Sequence, residues 1–243
     1  ADRLQTPVFV MTDLDIGMNQ RLTAPFAWDD SRRYDRGKVM TAAMLDEGRD
    51  FGRYLDVDGD GIAYRTWPGT HAQRGAYFTR GTTKDAYARY SEAGADYVAN
   101  MQRLVAKFET AKTLVPAAIE RRAPRPAGVG AIYFGSTSPA MSEAIEMLEA
   151  RSMDVDTLRI RAFPFGDEVA RFVAAHPTVF VVEQNRDAQL RTMLVNELGV
   201  DPARLVPVLH YDGTPITARF IVDAIAERLS GANVKPLKRG KVA

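Results

Sequence analysis

The chain has 243 residues, a formal net charge of +1, 46% hydrophobic and 26% charged residues, and no cysteine. This length allows one large core or two modest ones, and the near-neutral charge excludes a global field that recruits nucleic acid or an anionic membrane. The lack of cysteine excludes disulfides and any iron–sulfur cluster held by the chain's own thiolates. The sequence has no apolar run of membrane-spanning length and no signal peptide, so we expect a cytoplasmic protein.

The N-terminal residues read like the end of a domain. Residues 1–4 are typical of the last turn of a helix, and the apolar run at 7–11 predicts a strand that has no partner nearby in sequence. The chain also lacks an initiator Met. We therefore expect residues 1–20 to be the last elements of a preceding α/β domain, and the chain to be a piece of a longer one.

Residues 21–95 show little periodicity and are rich in Arg, Asp, Gly and Tyr. Such a long irregular stretch is uncommon inside a compact domain, so we expect it to pack over neighbouring domains or subunits, with a helix near 41–49. An amphipathic helix is predicted at 95–115, with an apolar side formed by Val98, Met101, Leu104, Val105 and Phe108. The prolines and arginines of 116–127 predict a linker.

From residue 129 onward, apolar strands alternate with helical patterns. Strands are predicted at 129–134, 157–163, 178–182 and 205–209, and helices at 139–148, 167–175, 187–198 and from 217 to Gly231. We expect Ser138 to cap the first of these helices and Pro139 to begin it, while Pro207 places the last strand at an edge or bulge. This alternation predicts a parallel sheet covered on both faces, followed by a solvated basic tail.

Ligands in open parallel sheets bind beyond the carboxyl ends of the strands, which draws attention to 135–138 and 183–185. The Gly-Ser-Thr-Ser stretch could cradle a phosphate, but it matches neither a Walker loop nor a dinucleotide fingerprint, and a plain turn and cap is favoured. No histidine or second carboxylate lies beside Glu183 in sequence, so a structural role is favoured for it. The three histidines, His71, His176 and His210, are too far apart to suggest a zinc site.

The stretch Asp-Val-Asp-Gly-Asp-Gly at 56–61 has the acidic positions and the glycine of a calcium loop. Trp67 stands where such a loop needs its last glutamate, so an acidic glycine-rich turn is favoured and no metal site is assigned. Two further irregular stretches, 65–71 and 77–82, combine arginines, hydroxyls and glycines. Such stretches can bind carboxylates or phosphates, although anchoring of a long interface loop is slightly favoured.

At these stretches the sequence resembles a known family. The segments at 56–61, 64–66 (Tyr-Arg-Thr), 68–70 (Pro-Gly-Thr) and 77–82 (Tyr-Phe-Thr-Arg-Gly-Thr) are similar to the long alpha subunit of bacterial 2-oxoacid:ferredoxin oxidoreductases, most closely the 2-oxoglutarate type. Residues 6–13 resemble the end of its thiamine-pyrimidine domain. Residues 135–137, 182–185 and 211–213 resemble its transketolase-C-terminal-like domain, which is Rossmann-like.

The resemblance implies a division of the chain into four parts. These are the end of the thiamine-pyrimidine domain at 1–35, an irregular interface segment with a helix and linker at 36–126, the transketolase-C-terminal-like α/β domain at 127–231, and a basic tail at 232–243. It also implies an activity, the oxidative decarboxylation of a 2-oxoacid to an acyl-coenzyme A with electrons passed to ferredoxin.

The cofactors implied are thiamine diphosphate and [4Fe-4S] clusters, held mainly outside this chain, with coenzyme A as co-substrate. The partners implied are a beta subunit with the diphosphate and iron–sulfur sites, a second alpha–beta pair, and ferredoxin. None of the family's catalytic residues can be carried onto this chain, and Thr83-Lys84 stand where a glycine-histidine pair is expected. We expect Arg65, His71, Arg74 and Arg80 to face substrate or coenzyme A anions, because they cluster in one irregular loop.

Two alternatives remain open from the sequence. One is the beta chain of a thiamine-dependent 2-oxoacid dehydrogenase, which would share the C-terminal domain but would not be expected to carry the long 21–95 segment. The other is a non-enzymatic nucleotide-binding or scaffold module, which would purify alone as a stable monomer.

Overall fold

The computed structural model of the chain describes residues 1–231, and the predicted basic tail at 232–243 lies outside the described residues. Two compact units divide the chain. The first comprises Ala1–Met11 and Arg21–Val115, and the second comprises Thr12–Gln20 together with the described residues 116–231. No helix within residues 1–231 is both long enough and apolar enough to cross a membrane. The domain limits implied by the resemblance, at residues 35, 126 and 231, stay a prediction.

Helices and strands alternate regularly only after residue 115. The helices before this point are α1 (Leu14–Met18), α2 (Ala42–Asp46) and α3 (Gly94–Lys112). The later elements are, in chain order, β1 (Ile119–Arg121), β2 (Val129–Phe134), α4 (Thr137–Ala150), β3 (Asp156–Ile160), α5 (Asp167–Ala175), β4 (Thr178–Glu183), α6 (Gln189–Leu198), β5 (Leu205–Leu209) and α7 (Ala218–Leu229). A short 3-10 helix, Pro202–Arg204, precedes β5.

The five strands form one sheet in the order β1-β3-β2-β4-β5. Strands β2 to β5 are parallel, whereas β1 runs antiparallel to β3. The central strands β2 and β4 are nearly continuous apolar runs, as is typical of parallel strands covered on both faces. The predicted α/β fold class is confirmed, and β5 with Pro207 lies at an edge as expected.

The structure corrects two expectations about strands. β1 lies inside the predicted linker at 116–127, because the edge of β3 offers unpaired amides and carbonyls to a short antiparallel strand. Conversely, the apolar run at 7–11 is not a strand. No strand of residues 1–231 pairs with this run, and the side chains of 8–11 are 59–90% exposed.

The start of α4 is also corrected. The N-cap is Ser136 and the helix begins at Thr137, two residues before the predicted start at Pro139. Gly135 has a φ of +58°, a left-handed conformation that glycine adopts readily, so the chain turns directly after β2. Pro139 falls in the first helical turn, where its missing amide costs no hydrogen bond.

Two apolar cores cover the two faces of the sheet. One face is covered by α4 and α7, with Met141 and Ile225 at the centre, and the other by α5 and α6, with Phe172 and Leu194. Gly130 of β2 lies directly under the Phe172 ring, since a Cβ at this position would be 2.7 Å from the ring. The sheet therefore needs glycine at this point for the ring to approach the strand.

The first unit has few regular elements, and α3 turns its polar side inward. Thr110 Oγ1 donates to the carbonyl of Asp60 at 2.7 Å, and Arg103 Nη1 donates to the carbonyl of Gly61 at 2.9 Å. A Cβ on Gly61 would lie 2.2 Å from the backbone nitrogen of Lys107, so the loop contacts the helix backbone directly. The small apolar core comprises Met40, Leu45, Ile62, Ala63, Ala88 and Ala111.

The apolar side of α3 faces outward. Val98, Met101, Val105 and Phe108 lie on one side of the helix as predicted, but they are 40–63% exposed. The helix buries the polar side instead, because its polar side chains find backbone carbonyls in the 60–61 loop. An exposed apolar stripe is typical of a surface that packs against another domain or chain.

Asp156, at the start of β3, is 4% exposed and lies at the centre of a cluster of polar groups. Its carboxylate accepts hydrogen bonds from the amide of Ala123 at 2.8 Å, Arg122 Nη1 at 2.8 Å and His176 Nε2 at 3.1 Å. Burial raises the pKa of Asp156, but these donors outweigh burial and hold the pKa below its ordinary value of 3.8. The ionised form of Asp156 therefore stabilises the fold.

We expect Asp156→Asn to lower the free energy of unfolding by about 1–3 kcal/mol at neutral pH, because the amide places an N–H against existing donors. Since the pKa of Asp156 is lowered in the folded state, its contribution is complete above about pH 4 and is lost as the pH falls through the folded value. Urea unfolding should therefore show the gap between wild type and variant shrinking below about pH 4.

A matched control is Asp223→Asn on α7, whose exposed carboxylate lies 3.8 Å from Arg151. We expect this change to alter stability by less than about 0.5 kcal/mol. A gap for Asp156→Asn that stays constant between neutral and acidic pH would contradict the assignment.

Candidate functional site

The carboxyl ends of β2 and β4 meet where the order of the strands changes direction. The chain adds β3 on one side of β2 and β4 on the other, which is the position where open parallel sheets bind ligands. Here Gln184 Nε2 donates to Ser136 Oγ at 2.9 Å and to Thr137 Oγ1 at 3.3 Å, and its Oε1 accepts the amide of Ile216 at 3.4 Å. The side chains of the chain itself therefore fill this crevice.

Asp13 brings a negative charge to the same place. Its Oδ2 accepts a hydrogen bond from the hydroxyl of Ser136, and its Oδ1 accepts the amide of Ile16 at 2.9 Å. The hydrogen bond from Ser136, followed by that from Ile16, lowers the pKa of Asp13. The carboxylate of Asp13 thus places a negative charge next to Ser136, where it disfavours a second anion. The turn that the sequence favoured at 135–138 is present, but the predicted cap is wrong, because no side chain among residues 1–231 accepts the first amides of α4.

Glu183, at the end of β4, is fully buried. Its Oε2 accepts the amide of Leu190 at 2.7 Å and Nδ2 of Asn185 at 2.8 Å, while its Oε1 accepts the amide of Arg191 at 3.1 Å. The N-cap residue of α6 is Ala188, which has no side-chain oxygen. Glu183 therefore caps α6 and places a favourable charge at its N-terminus, a structural role as the sequence favoured.

Two of the four residues predicted to face anions are held by carbonyl groups of the first unit. Arg65 Nη2 donates to the carbonyl of Arg36 at 2.6 Å and pairs with Asp2 at 3.1 Å. Arg74 Nη1 donates to the carbonyl of Leu45 at 2.5 Å. These bonds use part of each guanidinium to fix the surrounding loops.

His71 is also bound locally. Its Nδ1 accepts the amides of Gln73 at 3.0 Å and Arg74 at 2.9 Å, so the ring proton lies on Nε2, which donates to Asp46 at 2.9 Å. The ring therefore holds the 71–74 turn against the end of α2.

Arg80 differs from the other three. Its side chain is exposed, and its guanidinium lies 5.4 Å from the ring centroid of Tyr90. Among residues 1–231 it has no hydrogen-bond or ion-pair partner, so its donors are available to an anion. The prediction that all four residues face anions stays a prediction, and its best-placed member is Arg80.

A group of cations that no sequence pattern predicted surrounds Tyr54. Lys84 Nζ lies 5.1 Å from the Tyr54 ring centroid, and the guanidinium carbons of Arg53 and Arg103 lie at 5.5 and 5.6 Å. Burial and the charge of Arg53 lower the pKa of Arg103, and burial with the charges of Arg103 and Arg53 lowers that of Lys107. The one signal in the sequence was Lys84, which stands where the resemblance leads us to expect a histidine.

A cleft of about 250 Å³ adjoins this group, and three carboxylates also line it. Each carboxylate is occupied by donors close to it in sequence. The pairs are Asp56 with the amides of Gly59 and Gly61, Asp85 with the amides of Tyr87 and Arg89, and Asp96 with the hydroxyl of Ser91. The cations around Tyr54 are less completely paired than these acids, since Arg103 Nε is buried without a hydrogen-bond partner.

The acidic loop at 56–61 brings oxygens of Asp56, Asp58 and Asp60 within 4.8 Å of one another. Both carboxylate oxygens of Asp56 accept amides of the loop glycines, at 2.9 and 3.0 Å. The other two carboxylates contact Lys38, whose Nζ lies 2.6 Å from Asp58 and 2.7 Å from Asp60. Both carboxylate oxygens of Asp56 and Asp58 and one of Asp60 are thus bonded to groups of the same chain.

A larger groove of about 590 Å³ lies between the starts of α4 and α7. Its lining comprises Pro139, Ala140, Glu143, Met147, Ile216, Thr217, Ala218 and Arg219. Among residues 1–231, Glu143 is the one acid that lines the groove and no histidine does, so these residues offer no pair of groups for acid–base chemistry.

No protein-family model and no curated protein sequence matches the chain. Its structure is similar to a solved 2-oxoglutarate:ferredoxin oxidoreductase from Magnetococcus marinus, which has 2-oxoglutarate, coenzyme A and succinyl-CoA bound. The TM-score is 0.68 at 21% sequence identity, over 79% of this chain and 32% of that chain. The chain thus spans about a third of the length of that relative.

Two weaker similarities were also found. A split-gene transketolase (an inactive beta4 tetramer) has a TM-score of 0.37 at 21% identity, over 46% of this chain and 41% of that one. The alpha chain of a probable 2-oxoacid ferredoxin oxidoreductase from Thermoplasma acidophilum has a TM-score of 0.33 at 25% identity, over 47% and 97%. The fold assignment rests on the first comparison, which confirms the resemblance predicted from the motifs at the level of the fold.

The capping role of Glu183 can be tested by Glu183→Gln. We expect a loss of about 1–3 kcal/mol in the free energy of unfolding, because the buried amide N–H would face donors. Urea unfolding measures this loss. Glu197→Gln, on the exposed side of the same helix, is the matched control and should change stability by less than about 0.5 kcal/mol. A Glu183→Gln protein that is as stable as wild type but has lost activity would instead show that the carboxylate takes part in the reaction.

Proposed function

We propose that the chain is the C-terminal portion of the alpha subunit of a 2-oxoacid:ferredoxin oxidoreductase, with 2-oxoglutarate as the substrate. The observation that carries this proposal is the shared fold over 79% of the chain with a solved 2-oxoglutarate:ferredoxin oxidoreductase. The family motifs at 56–61, 64–66, 68–70 and 77–82 support it independently, because they lie in the irregular first unit and not in the common α/β sheet.

The complete enzyme would convert a 2-oxoacid and coenzyme A to an acyl-coenzyme A and pass electrons to ferredoxin. Thiamine diphosphate would supply the decarboxylation chemistry, while the protein supplies binding, orientation and electrostatics. This chain has no cysteine for an iron–sulfur cluster, and its crevice at β2 and β4 is filled by Asp13, Ser136 and Gln184. The proposal therefore assigns the cluster and the diphosphate site to a beta subunit.

The share of this chain is assembly and support of the active site. Its first unit exposes large apolar side chains that a separate protein would not leave in water, including Phe9, Phe26 and Trp28 at 80–96% exposure. The exposed stripe of α3 adds to this surface. Such surfaces support a role in packing against the rest of the subunit, the beta subunit and a second alpha–beta pair.

The cations of the first unit support contact with anionic substrates. Arg80 has available donors, and Arg53, Lys84 and Arg103 surround Tyr54. A 2-oxoacid carboxylate and the phosphates of coenzyme A are anions that guanidinium and ammonium groups bind. The first unit is therefore the part of this chain that we place beside the substrates.

The proposal predicts what accompanies the chain when it is purified from its native cells. We expect a tagged chain to carry a cysteine-rich, iron-containing partner. We also expect the complex to reduce a viologen dye only when both 2-oxoglutarate and coenzyme A are present. Peptide mapping and intact mass identify the polypeptides. Iron analysis measures the iron content of the partner, and the dye assay measures the activity with each substrate.

Other outcomes would point elsewhere. Reduction with pyruvate but not 2-oxoglutarate would keep the family and change the substrate. A chain that purifies alone, without iron, thiamine or dye reduction, would contradict the proposal and favour a scaffold module.

A second prediction concerns Arg80 in the assembled enzyme. Removing a charged hydrogen bond to a substrate anion costs about 1.5–3 kcal/mol, so Arg80→Ala should raise the KM for 2-oxoacid or coenzyme A about 10- to 100-fold. Arg49→Ala is the matched control, because Arg49 is an exposed arginine of the same unit paired with Glu47 at 3.6 Å. Unchanged KM values for both substrates would remove Arg80 from the site.

A further inference from the structure

The acidic loop at 56–61 resembles a cation-binding loop, yet a side chain from another segment lies among its oxygens. Lys38 Nζ lies 2.6 and 2.7 Å from the two carboxylate oxygens of Asp58, 2.7 Å from Oδ1 of Asp60, and 3.0 Å from the carbonyl of Ile62. One ammonium is thus surrounded by two carboxylates and a backbone carbonyl, which are the ligand types that calcium takes in proteins.

The ammonium of Lys38 and the carboxylates of Asp58 and Asp60 stabilise one another in their charged forms. Burial lowers the pKa of Lys38, but hydrogen bonds and charges from Asp58 and Asp60 outweigh burial and raise it. In return, the hydrogen bond from Lys38 is the main cause that lowers the pKa of Asp58. Lys38 therefore stays charged, and its side chain is only 19% exposed.

The position of the loop has consequences for the rest of the first unit. The carbonyls of Asp60 and Gly61 accept the side chains of Thr110 and Arg103 on α3. On the other side, the backbone carbonyl of Lys38 accepts the amide of Arg65 at 3.0 Å. Lys38 thus links the segment before α2 to the loop on which α3 lies.

We propose that Lys38 is the permanent cation of this loop. Its ammonium takes the place of a divalent metal ion, so the loop keeps its shape without metal and binds a metal ion only when the ammonium is removed. This proposal does not depend on the proposed enzymatic function, and either can fail without the other.

The test is Lys38→Met in the full chain, with terbium(III) as the probe of the cation site. The Tyr64 ring centroid lies 5.9 Å from Lys38 Nζ, close enough for excited tyrosine to sensitise emission from a terbium ion at this position. We expect sensitised emission from the variant and none from wild type. The double variant Lys38→Met with Asp58→Ala should lose the emission, since alanine offers no oxygen ligand.

Thermal unfolding gives a second readout. Removing Lys38 leaves partly buried carboxylates unpaired, so Lys38→Met should lower the midpoint by about 4–8 °C. Calcium should restore much of this loss in the variant and leave wild type unchanged. Lys112→Met is the matched control, because Lys112 pairs with the single carboxylate of Glu109 at 2.7 Å and removing it should create no terbium or calcium effect.

Two results would overturn the proposal. One is equal terbium emission at this site from wild type and variant, and the other is a folded Lys38→Met protein that binds neither terbium nor calcium. If Lys38→Met does not fold, the test is the rate at which Lys38 is acetylated in the wild-type protein. We expect slow acetylation that becomes severalfold faster in Asp58→Asn, and an unchanged rate would count against the proposal.

Discussion

A charged group that folding removes from water must find hydrogen-bond partners, and this constraint fixes the loops of the protein. Glu183 caps α6, Asp156 joins β3 to the segment before β2, and Lys38 closes the acidic loop. In each case the partners are backbone amides or side chains from a separate segment. Removing one partner therefore leaves a buried charge unpaired and also releases a loop, which costs more than the bond alone.

The two compact units meet this constraint in different ways. In the second unit, apolar strands and helices form two cores on the faces of one sheet. In the first unit, α3 presents Arg103 and Thr110 to backbone carbonyls and leaves its apolar stripe exposed. The second unit therefore buries its apolar side chains within its own fold, whereas the first leaves an apolar surface of the kind that interfaces use.

This difference bears on where chemistry would take place. The crevice that open parallel sheets use for ligands is filled by Asp13, Ser136 and Gln184, and the buried acid beside it caps a helix. The available cations lie in the first unit, at Arg80 and around Tyr54. An active site supported by this chain would accordingly be shared with other polypeptide segments, which agrees with the proposed role as part of a larger subunit.

The strands at 129–134 and 205–209 and the helix at 167–175 follow from the sequence alone, because an apolar period is a local property that neighbouring residues carry. The motifs that carry the resemblance are local as well, and the fold that the resemblance implied is the fold observed. The sequence did not reveal that β1 pairs with β3, that residues 7–11 form no strand, or that Lys38 enters the acidic loop. Each depends on segments that are distant along the chain, and the pattern of residues within a segment does not specify which other segment will supply its hydrogen bonds.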